Sequence, residues 1–552
     1  MIEQAETSTE RFGEPVSSQS GTQDPVLPNE ARQVTRAAIL ISVGNIISRG
    51  LGLVRDVVKS YLFGAGGAVS AFDVASWVPT MLYDQLVGGM LSSSLVPVLS
   101  DYADREDKEE LWMIFSYVLT FAALVLSGLV LLIEVAAPWI ARMLGQALPP
   151  AYLDMATEMI RLTAPAVFFL NIAGLISATL FAMQRFTLPA FNGAVYNLTL
   201  VVVMALLSQE MGARAMALGV FVATAMQTAF QIPGLYGIKL RWRSPFPLHP
   251  ALIQIGRLYL PIGLGLLVDQ FAVGLSLNIA SLTGPSGVAH MKYAATLIQF
   301  PLGLVVTAVS VAILPTLSRY ATGADEEAFR STLSQGLRLV LILVLPAAVA
   351  LLVMAEPMVA LILQRGEFQP EDTIATAVAL RFSVLGLVFA ALDQPLIYAF
   401  YARKNTWTPT LVGVGTVIFY IILAVLPPLL GEPKLWALVL ANSLKLTAHA
   451  LLMLYLFIHR IGGLKPYRVG HTVLLASGAA LAMALPIYSL SSGLQPLVPS
   501  GSVGLLIRVA IAGGLGAVFY LGVLSLMDVE EITLIQQALR LRKSPKSEII
   551  QV

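Results

Sequence analysis

Residues 161–189 read RLTAPAVFFLNIAGLISATLFAMQRFTLP, and residues 381–409 read RFSVLGLVFAALDQPLIYAFYARKNTWTP. The two stretches align without a gap. Phe181-Ala182 faces Tyr401-Ala402, Arg185 faces Asn405, and Pro189 faces Pro409. Each is an apolar run of more than about 20 residues closed by a polar turn and a proline, the pattern of one membrane-spanning helix and the start of the next. A second pair of blocks stands at nearly the same offset: Leu95-Val96-Pro97-Val98-Leu99-Ser100-Asp101-Tyr102-Ala103 against Ile313-Leu314-Pro315-Thr316-Leu317-Ser318-Arg319-Tyr320-Ala321. Chance likeness between apolar helices would not place prolines and polar turn residues in register twice. The chain is therefore read as an internal repeat. Six spans separate the copies, an even number, so both halves run in the same sense. Parallel repeats of this kind are related by an axis along the membrane normal, with the substrate site between them.

Working outward, the whole chain of 552 residues is 57% hydrophobic and only 12% charged, with a mean hydropathy of +0.78. A soluble domain carries roughly 25% charged residues, so the bilayer is the solvent here. The net charge of +1 gives no basic surface for nucleic acid, and the absence of cysteine excludes disulfides, thiol nucleophiles and cysteine metal sites. Residues 1–33 are polar and rich in Ser, Glu, Gln and Pro, without the features of a signal peptide; they are expected to form a disordered cytoplasmic tail.

Spans are expected near 34–63, 69–100, 111–143, 155–184, 188–209 and 213–238, then 250–283, 288–320, 328–356, 371–402, 407–429 and 433–459, with two more near 468–490 and 501–527. The expected fold is an all-α integral membrane protein of about 14 transmembrane helices. Two parallel six-helix bundles (34–243 and 244–462) are followed by a helix pair (463–530) and a cytoplasmic tail (531–552). Placing the N-terminus in the cytoplasm puts most basic residues there, among them Arg105, Lys108, Lys239, Arg241, Arg243, Arg403, Lys404, Arg540, Arg542 and Lys543. The opposite face keeps only Arg142, Arg161, Arg214, Lys292, Arg365, Arg381 and Lys434. The positive-inside rule thus favours N-in and C-in.

An ionisable side chain at mid-bilayer costs roughly 2.5–3.5 kcal/mol on insertion scales and needs a partner or a watery cavity. The densest cluster lies in helix 1, where Arg49, Arg55, Asp56 and Lys59 fall within one segment softened by Gly50 and Gly52. Arg49 stands roughly 21 Å along the helix from Thr35, while Lys59 approaches the outer surface. Helix 2 adds Asp73 and Asp84 on one stripe, with Pro79 between them. These acids either neutralise the helix 1 bases or join them in a cavity for an anionic headgroup, since arginine binds phosphate bidentately. Arg49, Arg55, Lys59, Asp73 and Asp84 are the candidate substrate-binding residues. In the second half Asp269, Asp393 and Lys445 are candidate ion-coupling residues, with Asp269 and Lys445 placed to pair. Arg508, near a span end, reads as a snorkelling side chain.

The histidines (His249, His290, His449, His459, His471) are scattered, and neither HExxH nor a phosphate-binding Gly-Lys-Ser/Thr loop occurs. An ATP-driven pump and a metallohydrolase are excluded on that ground. No cofactor is expected, and energy would come from an ion gradient or the membrane potential.

These residues resemble the MurJ (MviN) lipid II flippases of the multidrug/oligosaccharidyl-lipid/polysaccharide exporter superfamily. The resemblance is carried by Ser48-Arg49 … Leu53-Val54-Arg55-Asp56 … Leu62-Phe63-Gly64-Ala65-Gly66, by Gln184-Arg185-Phe186-Thr187-Leu188-Pro189, by Gln299-Phe300-Pro301-Leu302-Gly303, and by Arg365-Gly366-Glu367-Phe368. It implies alternating access around a cationic cavity, a lipid-tail groove along the last two helices, and contact of Arg49 and Arg55 with a pyrophosphate. This sequence departs from the family pattern in helix 2, where Ser70 replaces an acid, Tyr83-Asp84 an arginine pair and Gly88 a glutamate. In helix 8, Tyr293-Ala294-Ala295-Thr296 lacks the family's arginine. The expected function is a flippase moving a polyprenyl-pyrophosphate-linked peptidoglycan precursor to the outer leaflet of the bacterial cytoplasmic membrane, acting as a monomer and not as an enzyme. An ion-coupled multidrug or amphiphile exporter and a transport-inactive envelope scaffold are the alternatives.

Overall fold

In the computed structural model, the described residues are 29–88, 95–96, 98–99, 108–237, 250–323, 325–527, 529 and 531. Every element among them is helical. The first set is α1 (Asn29–Phe63), α2 (Gly67–Tyr83), α3 (Lys108–Leu144), α4 (Pro150–Ala182), α5 (Thr187–Met211) and α6 (Arg214–Gln231). The second is α7 (Pro250–Leu282), α8 (Gly287–Pro301), α9 (Thr307–Thr322), α10 (Glu326–Val353), α11 (Ala355–Leu363), α12 (Pro370–Ala402), α13 (Trp407–Leu429) and α14 (Leu435–Arg460). α15 (Val469–Leu494) and α16 (Ser502–Leu526) follow. α1 begins inside the stretch read as tail, because Asn29-Glu30-Ala31-Arg32-Gln33 is rich in helix formers. Residues 1–28 and 532–552 lie outside the described residues, as does most of 89–107.

Among the described residues, 11 helices are long and apolar enough to cross a membrane. The expected spans that fall outside this set are informative. α1 carries Arg49, Arg55, Asp56 and Lys59 in its C-terminal half. The spans near 69–100 and 288–320 are interrupted by π-helical segments at Asp84–Gly88 and Leu302–Val306. The widened turns fall at matching places of the repeat and follow Tyr83 and Pro301. Such π segments commonly mark functional positions.

The packing pattern is repeated as well. α1 packs on α5 as α7 packs on α13, α2 on α4 as α8 on α12, and α3 on α4 as α10 on α12. α4 meets α6 as α12 meets α14, and α5 meets α6 as α13 meets α14. The turn after α4 and the turn after α12 are the same structure. Gln184 and Lys404 both adopt a left-handed conformation at φ 58. The next amide closes each helix, from Arg185 N to Leu180 O (2.8 Å) and from Asn405 N to Phe400 O (3.0 Å). α15 and α16 pair with each other and pack on α10 through Leu341, Ile342, Ala480, Met483, Ala512 and Tyr520, with the Tyr520 hydroxyl donating to Ile342 O at 2.9 Å.

Glycine adopts the left-handed conformation without the steric penalty of a Cβ, about 1 kcal/mol for other residues. Gln184→Gly and Lys404→Gly should each raise the apparent Tm of the purified chain by a degree or two, while Gln184→Val should lower it. Thermal unfolding in detergent measures both.

Candidate functional site

The charges of α1 are held by a network that joins both halves. Lys59 Nζ donates to Asp73 Oδ1 and Oδ2 at 3.0 and 3.3 Å. Both side chains are only 7% exposed. Lys59 also lies over the Tyr293 ring, 4.5 Å from its centroid, and 5.7 Å from that of Phe72. It is therefore buried, and Asp73 and the aromatic faces make burial tolerable by compensating the charge. Tyr293 is fixed in turn, its hydroxyl donating to Gly64 O at 2.9 Å and its ring meeting Phe368 edge-on at 5.5 Å.

Arg55 lies deeper along α1. Its Nε donates to Asp56 Oδ1 at 2.9 Å, and a terminal nitrogen donates to Asn197 Oδ1 on α5 at 3.1 Å. Asn197 is oriented by donating to Ser48 O and Gly193 O at 3.1 and 3.0 Å. The second carboxylate oxygen of Asp56 accepts from Thr296 on α8 at 2.8 Å. Lys292, a turn earlier on α8, stands near enough to Asp73 and Asp56 for their charges to interact. Arg49 reaches Gln299 O at 3.5 Å and occupies room that Gly303 leaves in the π segment, where a side-chain carbon would collide with its guanidinium. The cations of this group (Arg49, Arg55, Lys59, Lys292) outnumber its carboxylates (Asp56, Asp73). Arg55 keeps 31% of its side chain exposed. The arrangement can hold an anion, because guanidinium groups bind phosphate oxygens in pairs.

The first and second halves also meet through Ala289 N to Ser70 Oγ (3.2 Å) and Glu367 N to Tyr61 O (3.0 Å). Asn278 Nδ2 donates to Met143 O at 2.7 Å. These contacts gather at the end of the molecule that holds the C-terminus of α1. An apolar cleft of about 540 Å³ lies beside them, between α2 and α7, lined by Trp77, Met81, Phe271 and Leu275.

Not every expected residue joins this group. Asp84 opens the π segment and bonds with Gln270 of α7, while Asp73 pairs with Lys59. Lys445 faces Asp269 across the second half and their charges interact, but they form no ion pair among the described residues; Lys445 lies 5.8 Å from the Tyr420 ring centroid instead. Asp393 pairs with His449 Nδ1 at 2.8 Å, between α12 and α14. His449 and His290, which meets Asp372 at 3.0 Å, are thus less scattered than their spacing implies. Asn197, Lys292, Thr296 and His449 were missed. Thr296 had a sequence signal, as the position where the helix 8 pattern loses its arginine, and so did Lys292, as a charge inside the span expected near 288–320.

The family model described as "Lipid II flippase MurJ" matches residues 59–507. A probable lipid II flippase MurJ of Haemophilus influenzae is 30% identical over 67% of this chain and 76% of its own length. A probable lipid II flippase MurJ of Bdellovibrio bacteriovorus is 27% identical over 93% of this chain and 98% of its own. Among solved structures, a lipid II flippase MurJ in an inward closed conformation superimposes with a TM-score of 0.75 at 23% identity, covering 89% of this chain and 98% of that one. An inward-facing multidrug resistance transporter of the MATE family gives 0.66 at 16% identity, covering 78% and 99%. At these identities the structures share the fold.

Removing one partner of a buried ion pair strands the other charge, at about 3–5 kcal/mol. Lys59→Met alone should therefore lower the apparent Tm more than Lys59→Met/Asp73→Leu, which removes both charges. Equal losses in the single and double variants, measured by thermal unfolding in detergent, would show that the pair is not coupled.

Proposed function

Since the chain belongs to the lipid II flippase MurJ family, we propose that it flips lipid II or a close polyprenyl-pyrophosphate-linked relative from the cytoplasmic to the outer leaflet by alternating access. The observation that carries this reading is the excess of cations around Arg49 and Arg55, on a helix that touches both halves. A pyrophosphate brings the negative charge that the network lacks. Arg49 and Arg55 take the pyrophosphate oxygens, Asp56 and Asn197 hold Arg55 in position, and Lys59, Asp73 and Lys292 keep the remaining charge at the closed end.

In this reading the molecule is a multi-pass protein of the bacterial cytoplasmic membrane with 14 spans by its sequence pattern, both termini in the cytoplasm. Two six-helix bundles (34–243 and 244–462) rock against each other, and the helix pair of 463–530 guides the lipid tail. The contacts among α1, α2 and α8 then close the outer side, so the structure corresponds to a state that loads from the cytoplasm. The protein works as a monomer without a cofactor, and an ion gradient or the membrane potential drives it. Asp393 with His449, and Lys445 facing Asp269, are the groups best placed to respond to an ion. The exporter alternative has the likeness to multidrug transporters in its favour, which extends to the fold alone.

Expression in a bacterium depleted of its own flippase tests the proposal. The wild-type chain should restore growth and lipid II translocation, and Arg49→Ala and Arg55→Ala should each reduce translocation by at least about tenfold, the effect of losing one charge-assisted contact. Rescue that survives both substitutions would remove the headgroup role. Drug efflux without rescue would favour the exporter.

A further inference from the structure

Arg381 lies within α12, roughly 16 Å along the helix from Pro370, and has no hydrogen-bond or ion-pair partner among the described residues. Its repeat counterpart in the first half, Arg161, donates Nε to Glu134 O on α3 at 3.3 Å. The second half does not reproduce that contact. Where α3 is continuous, the matching helix breaks at Met354 (φ −99, ψ 24) and restarts as α11. The α15–α16 pair, which has no counterpart in the first half, covers the break and brings Arg508 beside it. Arg508 Nε donates to Ser491 Oγ at 2.9 Å. Arg381 and Arg508 line one cavity of about 460 Å³, together with Glu356, Gln364, Tyr488 and Ser492. Neither guanidinium has a carboxylate within ion-pairing distance among the described residues.

We propose that this cavity binds the phosphate of a membrane-lipid headgroup. Two arginines inside membrane-spanning helices, balanced by the single carboxylate of Glu356, leave positive charge that hydrocarbon does not tolerate without an anionic partner. The guanidinium fork fits phosphate oxygens in particular, and the volume falls within the range of small-ligand pockets. The mouth is dressed for a lipid. Tyr488 is 65% exposed there, an amphipathic ring of the kind found at membrane interfaces. Leu485 and Val503 expose apolar surface beside it, where an acyl chain would lie. Arg508 is thus more than a snorkelling side chain, since it turns inward to a cavity shared with a second arginine. The cavity lies at the end where Glu367 joins Tyr61, which the orientation proposed above makes the outer leaflet. The binding itself rests on the cavity alone and stands apart from the transport reading.

Native mass spectrometry of the full chain in detergent tests this, with phosphatidylglycerol and a polyprenyl pyrophosphate as separate probes and inorganic phosphate as competitor. A retained lipid adduct is expected, weakened about tenfold in Arg381→Gln/Arg508→Gln. Arg161→Gln should leave it unchanged and Glu356→Gln should strengthen it. Retention of phosphatidylglycerol identifies a bilayer phospholipid, and preference for the polyprenyl pyrophosphate identifies the transported class of lipid. Equal adducts in wild type and the double variant overturn the proposal, as does protection by inorganic phosphate with no lipid adduct. If the double variant does not fold, Glu356→Gln decides: unchanged lipid retention in that variant overturns the proposal.

Discussion

A charge in hydrocarbon must be answered by another charge, a hydrogen-bonding group or water, and α1 carries Arg49, Arg55, Asp56 and Lys59 within a few turns. The chain cannot leave such a helix facing lipid. Its charged groups are instead answered by α2, which supplies Asp73, by α5, which supplies Asn197, and by α8, which supplies Thr296 and the Tyr293 ring. Two of those helices belong to the first half and one to the second. The same requirement therefore ties the halves together at one end. A closure built from a few polar contacts is suited to a site that must open, because each contact can be exchanged for water or ligand at a small net difference in energy.

The repeat explains where such motion can be accommodated. Helices that match across the halves pack on matching neighbours, and the turns at Gln184 and Lys404 share even their unusual backbone conformation. Each half is built on the same plan by this measure. The matching π segments at Asp84–Gly88 and Leu302–Val306 are its bendable places, since a widened turn leaves carbonyls poorly satisfied and a helix easier to bend. Both segments lie against the opposite half: Gln85 donates to Tyr259 and Gly263 O of α7, and Gly303 makes room for Arg49 of α1. Some of the inter-half contacts thus fall at the bendable turns, in addition to those gathered at the end that holds the C-terminus of α1.

Much of the fold was legible because it follows from local properties. Hydropathy and length mark most spans, and the repeat is visible in linear register. The site was legible in part. Arg49, Arg55, Lys59 and Asp73 stand out because charge in an apolar segment is rare, and that rarity needs no knowledge of the fold. Their partners were not legible. Asn197 and Thr296 are ordinary polar residues until the packing of α5 and α8 on α1 brings them within hydrogen-bond distance. His449 looked isolated for the same reason, being paired with Asp393 across helices far apart in sequence. The partners of Asp73 and Asp84 were no more legible, since Lys59 and Gln270 come to them from other helices.

The departures from the family pattern can now be placed on the same footing. Thr296, at the position of a missing arginine, donates to Asp56; Ser70, at the position of a missing acid, accepts the Ala289 amide. Neutral groups occupy both places and still join α8 to α1 and α2. An acid and a base have been withdrawn together, which leaves the local charge balance close to where it was while keeping the contacts that close this end. Asp84 is different, since it adds a negative group where the pattern has a positive one, but it turns to Gln270 and away from Arg49 and Arg55. The cations of this inter-half group are therefore the ones α1 and α8 bring, a smaller and more localised set than the family pattern distributes along three helices, and under the proposed function they are the groups an anionic headgroup would meet.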